Sequence, residues 1–324
     1  MDVEEDYILA KDTSLKICDC DSVYFEFFTV AIYAILRKFG DYRELVLRII
    51  EDSDIFIDDL TISGIMKKHN ILNGYNFEKA YVNTTHAISV PGVILSLKNN
   101  TFEVEYSSPT VICSENCGNI TNLLNCFIHE ILHLLKSYFK CVEIKREDTD
   151  LSVAALRCGI YISRNSLKDG FKDAISEDYF QILDEAINVI QTTETMEEIL
   201  SLKEICSDED VLEFIDSLDE YKIHKDYGYS SIVPIVRTLW NNRQFRELVE
   251  RNIVDGDIKI IFDEFNEDMG ENMFQEVAQL VDDIYYAGQE NKTKKVQRLK
   301  RELRSIIKSY NTKNNVLQKT SRQK

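Results

Sequence analysis

A chain of 324 residues with 44% hydrophobic and 29% charged residues can bury a full core, as one large domain or two modest ones. Its 3 Pro and 11 Gly argue for long helices rather than a turn-rich β fold. The net charge of −18 is uneven: residues 291–324 hold 12 Lys/Arg against Glu302 alone, so residues 1–290 carry −29 and make a poor nucleic-acid binder. The basic end reads first as a solvated helix face and a frayed terminus, ahead of a contact with nucleic acid, an anionic membrane or the acidic body. The start, Met1-Asp2-Val3-Glu4-Glu5-Asp6, lacks the basic, then apolar, pattern of a signal peptide. The longest apolar run, Phe27 to Leu36, is too short to span a bilayer. Eight cysteines in such a chain read as reduced thiols, which predicts the cytoplasm.

In chain order, Ser22 to Phe39 keeps an apolar face through Val23, Phe27, Val30, Ala31, Ala34 and Ile35 before Gly40. Further short helices are predicted over Tyr42–Glu51 and Leu60–Lys68, and this N-terminal part carries no identifiable chemistry. The period then changes. Val90–Leu97, the pair Asn99-Asn100 and Phe102–Tyr106 predict a β-hairpin, and Thr110–Cys113 a third strand. A sheet edge there could hold an extended peptide by main-chain hydrogen bonds. Asn119 or Asn122 can cap a helix running to about Lys140. Beyond it, Cys141–Lys145 and Leu156–Ile162 predict two strands. After Gly170 the pattern is helical: Asp173–Thr193, Met196–Cys206, Asp208–Leu218, Ser230–Asn241, Arg246–Asn252, Ile258–Asn266, Glu271–Ala287 and Thr293–Tyr310. A polar tail follows whose composition predicts disorder.

The helix capped near Asn119 contains the most informative stretch, Phe127-Ile128-His129-Glu130-Ile131-Leu132-His133-Leu134-Leu135, an H-E-x-x-H pattern. Residues four apart share a helix face, so His129 and His133 can hold one Zn²⁺ between them, with room for a third ligand and a water. Glu130 lies at the side of that face, where it can take a proton from the metal-bound water. A merely packed helix would leave Glu130 charged among apolar neighbours without a partner.

The third ligand cannot come from the downstream form H-E-x-x-H-x-x-G-x-x-H, because Lys136 and Lys140 stand at its glycine and histidine positions. The best distant candidate is Glu185 in Leu183-Asp184-Glu185-Ala186-Ile187, beside an apolar helix face formed by Ile182, Ala186, Val189 and Ile190. Glu177 and Glu194 are the alternatives. The two segments together resemble a gluzincin, a zinc metallopeptidase with His, His and Glu ligands. Leu183-Asp184-Glu185-Ala186 is similar to the Leu-Asn-Glu-Gly/Ala stretch of that class, with Asp184 in place of the commoner Asn and no Asp at position 189. The chain is also similar to leaderless bacterial zincin-like proteins. The resemblance covers roughly residues 90–195.

The resemblance, with the helical patterns on either side of it, predicts an α+β fold: a zincin-like core with a small mixed β-sheet over the H-E-x-x-H helix, an N-terminal helical part and a C-terminal helical bundle. The boundaries that follow are 1–75 for the N-terminal helical segment, 76–195 for the catalytic core, 196–312 for the helical subdomain and 313–324 for a disordered basic tail. It also implies one catalytic zinc, Glu130 as general base, a peptide or protein substrate, and an oxyanion donor among Tyr229, Tyr227, His224 and Tyr179. The alternative function is a non-catalytic zincin scaffold that binds a protein partner through its C-terminal helices.

Overall fold

A computed structural model describes residues 3–18, 24–71, 86–90, 92–98, 101–137, 142–148, 151–158, 160–168, 175–219, 229–255 and 258–321. The protein is of the α+β class. Its elements are α1 (Val3–Asp12), β1 (Lys16–Cys18), α2 (Phe25–Lys38), α3 (Arg43–Asp52), β2 (Asp54–Asp58), α4 (Ile62–Lys68), β3 (Ala87–Val90), β4 (Val93–Lys98), β5 (Thr101–Tyr106) and β6 (Thr110–Ser114). There follow α5 (Ile120–Ser137), β7 (Val142–Asp148), β8 (Leu151–Cys158), β9 (Tyr161–Lys168), β10 (Ile175–Tyr179) and α6 (Gln181–Leu202). The chain closes with α7 (Glu209–Ser217), α8 (Val233–Trp240), α9 (Arg243–Asp255), α10 (Ile258–Met269), α11 (Met273–Gln289) and α12 (Thr293–Ser321).

The first sheet is mixed and has the order β1-β2-β6-β3, with only β3 antiparallel to its neighbour. The segment read as purely helical therefore contributes two strands to the sheet beneath α5. Successive strand residues face opposite sides. Ile55, Ile57, Val111 and Cys113 enter the main core with α2 and α5, while Phe56, Ile88 and Ile112 meet Ile62, Ile65 and Met66 of α4 on the other face. A half-buried edge strand would alternate polar and apolar residues. β2 and β6 are covered on both faces and so carry apolar residues at nearly every position.

The expected hairpin forms, but β4 and β5 make a separate two-stranded sheet. The connecting Asn99-Asn100 lies outside the described residues. A second four-stranded sheet, all antiparallel, has the order β10-β9-β8-β7. Here the expected strand over Leu156–Ile162 is not one strand: Leu156–Cys158 end β8 and Tyr161–Ile162 begin β9, which pair antiparallel. The expected helix start at Asp173 is displaced by β10.

One helix, α6, belongs to two cores. Ile182, Leu183, Ala186, Ile187, Val189 and Ile190 pack with α8 to α12, and Met196, Ile199 and Leu202 pack with α2, α5 and α7. The two helices expected over Asp173–Thr193 and Met196–Cys206 are thus one. Thr192, Thr193 and Thr195 weaken intrinsic helix propensity, yet each hydroxyl donates to the carbonyl four residues back, on Asn188, Val189 and Gln191. No proline or glycine interrupts the run, and burial on both sides carries the helix through it. The start of α6 is unusual: Phe180 at its N-cap has φ +64° and no capping side chain. The Ile182 amide instead faces the Asp282 carboxylate of α11 and favours its charged form.

The C-terminal helix also exceeds its expected length, since α12 continues through the polar tail to Ser321. Lys, Gln and Asn there do not break a helix. Among the described residues no helix is long and apolar enough to cross a membrane.

Candidate metal centre

α5 is built by its sequence at both levels. The Asn119 side chain accepts from the Asn122 amide at 2.9 Å and so caps the helix. Leu124, Phe127, Ile128, Ile131, Leu132 and Leu135 are then buried in the main core. That packing fixes the rotation of the helix and turns His129 and His133 toward α6.

The three sequence candidates for metal ligation converge. His129 Nε2 lies 3.1 Å from His133 Nε2 and 3.3 Å from Glu185 Oε2, and His133 Nε2 lies 3.5 Å from the same carboxylate oxygen. The side chains are 20%, 11% and 15% exposed for His129, His133 and Glu185. They are the group of His, Cys, Asp and Glu residues, among those described, that could hold a metal ion. Ligands about 2.0–2.2 Å from a tetrahedral ion stand roughly 3.3–3.6 Å apart. The three observed separations scatter around that edge length. Two imidazole nitrogens and a carboxylate oxygen facing one another out of water would repel if all presented lone pairs, and a cation at their centre removes the repulsion. The residues present therefore fit a single metal ion.

The carboxyl of Glu185 responds to the same neighbours. Desolvation opposes its charged form, but positive charge on the imidazoles, that of His133 first, and the hydrogen bonds they donate when protonated outweigh it and hold the carboxyl well below the usual carboxylate range; a metal ion would take the place of those protons.

No family model, curated protein or solved structure matches this chain. What the site can do must be judged from its own residues. Glu130 is partly buried and adjoins His129 without belonging to the converging group. Two thiols lie within electrostatic reach of it. Burial, followed by the nearby Cys126, Glu130 and Cys117, pushes Cys113 well above its ordinary value. Burial, then Cys117 and Glu130, pushes Cys126 up to about 12. Both are protonated at neutral pH, and with Cys117 and Cys206 they are free thiols.

Several residues around the ligands escaped sequence reasoning. Asp184, 2% exposed, accepts from the Ile160 amide at 3.1 Å and lies 3.7 Å from His133 Nδ1. That distance is an electrostatic approach rather than a hydrogen bond, and it places a negative charge behind the candidate ligand. Lys136 Nζ stands 3.6 Å from Asp184 and is as buried, so the lysine at the glycine position of the longer motif becomes the counter-charge of that carboxylate. On the other imidazole, Thr192 Oγ1 is 3.3 Å from His129 Nδ1, and the Asn188 amide donates to the His129 carbonyl at 2.9 Å. The available signal was an aspartate, an asparagine and a threonine on one apolar helix, each needing a buried partner.

The alternative ligand Glu194 is otherwise engaged. It accepts from Lys38, from Trp240 Nε1 at 2.9 Å and from Arg246 at 3.2 Å. Glu177 lies in β10, with its side chain outside what the structure describes. Of the oxyanion candidates, Tyr229 packs on the second core and against Tyr285 at 5.5 Å between ring centroids. Tyr179 is exposed at the end of β10. His224 and Tyr227 lie outside the described residues.

Proposed function

We propose that this protein is a zinc-dependent metallopeptidase, with His129, His133 and Glu185 as ligands and Glu130 as general base. The observation that carries the reading is the convergence of two imidazoles and a carboxylate at tetrahedral spacing, with a second, non-ligating carboxylate one residue along the same helix. Two nitrogens and one oxygen favour zinc over magnesium or calcium, which take oxygen ligands in larger number.

A zinc ion held there supplies a lowered pKa for water and polarisation of a peptide carbonyl. Glu130 takes a proton from the attacking water as the C–O bond forms, then delivers it to the amine nitrogen as the C–N bond breaks. Asp184 places a negative charge behind His133. β3 ends the first sheet, with β6 as its neighbour among the described residues, and its outer edge offers main-chain groups to an extended peptide.

Peptide cleavage by wild type and Glu130→Gln tests the reading. A peptide library, with the protein's own termini included, supplies the substrate. Cleavage by wild type that Glu130→Gln loses while keeping its zinc supports the assignment. Equal inertness or equal activity of the two would favour the non-catalytic scaffold.

A further inference from the structure

We propose that Thr192 is a positioning residue that fixes the proton of His129 on Nδ1 and so presents a bare Nε2 to the metal. The inference rests on the metal reading above and concerns how this chain prepares one of its ligands.

A threonine hydroxyl has one proton to give and lone pairs to receive. Thr192 Oγ1 lies 2.8 Å from the Asn188 carbonyl oxygen, which can only accept. The hydroxyl proton is therefore committed along α6, and the same oxygen faces His129 Nδ1 at 3.3 Å with a lone pair. Nδ1 must then be the donor. In a neutral imidazole that leaves Nε2 unprotonated, and Nε2 is the atom that meets His133 and Glu185.

The surrounding geometry leaves little room for another arrangement. Thr192 is 3% exposed and Asn188 is fully buried, so water does not compete for either group. The Asn188 amide donates to the His129 backbone carbonyl at 2.9 Å, which pins the ligand's main chain to the same helix. Glu185, Asn188 and Thr192 follow one another at helical spacing along one side of α6. That helix thus supplies one ligand itself and holds another by both side chain and backbone. The two imidazoles are treated differently, with a hydroxyl behind His129 and a carboxylate behind His133.

The test compares zinc affinity, by competition with a chelator, for wild type, Thr192→Val and Thr192→Ser, alongside thermal unfolding of each metal-free protein. Valine keeps the shape and loses the acceptor; serine keeps the acceptor and loses a methyl group. Thr192→Val is expected to weaken zinc binding about 10–100-fold, the usual worth of such a partner, with Thr192→Ser close to wild type. Zinc-loaded wild type and Thr192→Ser should also show a slowly exchanging His129 Nδ1–H that Thr192→Val lacks. A packing role predicts the reverse ranking, with serine the weaker binder, and that ranking or equal affinity in all three overturns the proposal. Failure of wild type to bind zinc at all would overturn the metal reading and this inference together.

Discussion

Two glutamates nine residues apart on α6 meet opposite fates. Glu194 and Glu185 are comparably shielded, with side chains 19% and 15% exposed. Glu194 sits where α2, α8 and α9 meet α6, among Lys38, Arg246 and the Trp240 indole, and both cations also lie over the Trp240 ring at 5.9 and 5.2 Å. Its partners are a lysine ammonium, an arginine guanidinium and an indole N–H, donors that the fold itself supplies. Glu185 faces two imidazoles, whose charge depends on a proton or on a bound cation. A carboxylate with permanent partners is complete as folded, whereas one among imidazoles is completed by an added positive charge. That difference separates an ion-paired structural residue from a candidate metal ligand on the same helix.

The comparison can be broken in several places. The largest effect is expected at Glu130, which stands beside the metal group without joining it. Glu130→Gln should lower peptide cleavage by about 10²–10⁴-fold while zinc content and unfolding stay near wild type, read from turnover against elemental analysis. Loss of zinc along with activity would make Glu130 a ligand or a fold determinant instead.

Next comes Glu185→Gln, which removes the charge but keeps the shape. Zinc affinity should fall by more than the roughly 100-fold that a partner behind a ligand is worth, with metal-free stability little changed. Glu194→Ala should do the converse. It leaves Lys38, Arg246 and the Trp240 indole without their shared acceptor, at a cost of about 3 kcal/mol in denaturant unfolding, with zinc affinity retained. If Glu194→Ala costs zinc and Glu185→Gln costs only stability, the two roles have been assigned the wrong way round.

The smallest effect belongs to Asp282, the carboxylate of α11 that faces the start of α6. Burial raises its carboxyl to about 6, against the facing Ile182 amide, which acts to lower it. The folded state therefore favours the protonated form, and ionisation costs stability in full above about pH 6 and nothing below the ordinary 3.8. Asp282 keeps some solvent contact, so the screened cost is about 1 kcal/mol. Asp282→Asn should be the more stable by that amount at pH 7, with the gap closing as pH falls toward 4. A gap that widens on acidification would show that the carboxylate stabilises the helix start.

Much of this was legible in the sequence because it is local. The H-E-x-x-H spacing, the apolar stripe of α5 and the Asn119 cap lie within about twenty residues and need no tertiary knowledge. Glu185 was legible as a charged residue beside an apolar face. What stayed hidden was decided by partners far along the chain. β1 and β2 are too short to show a period, and their strand character comes from distant pairing: β1 with β2, as Ile17 opposite Ile55, and β2 with β6, as Ile55 opposite Val111. The unbroken α6 depends on hydroxyls bonding back to carbonyls and on burial in two cores at once. Lys136 looked like a mere departure from a longer motif, and its meaning appears only once Asp184 is brought beside it.

The central claim is that His129, His133 and Glu185 hold one zinc ion. Its most direct test is the zinc content of wild type, His133→Ala and Glu185→Ala, prepared without chelator and measured side by side after exposure to zinc. One zinc per wild-type chain and a clear loss in both variants is the predicted result. A wild-type protein that is metal-free and takes up no added zinc, or variants that bind as wild type does, would contradict it.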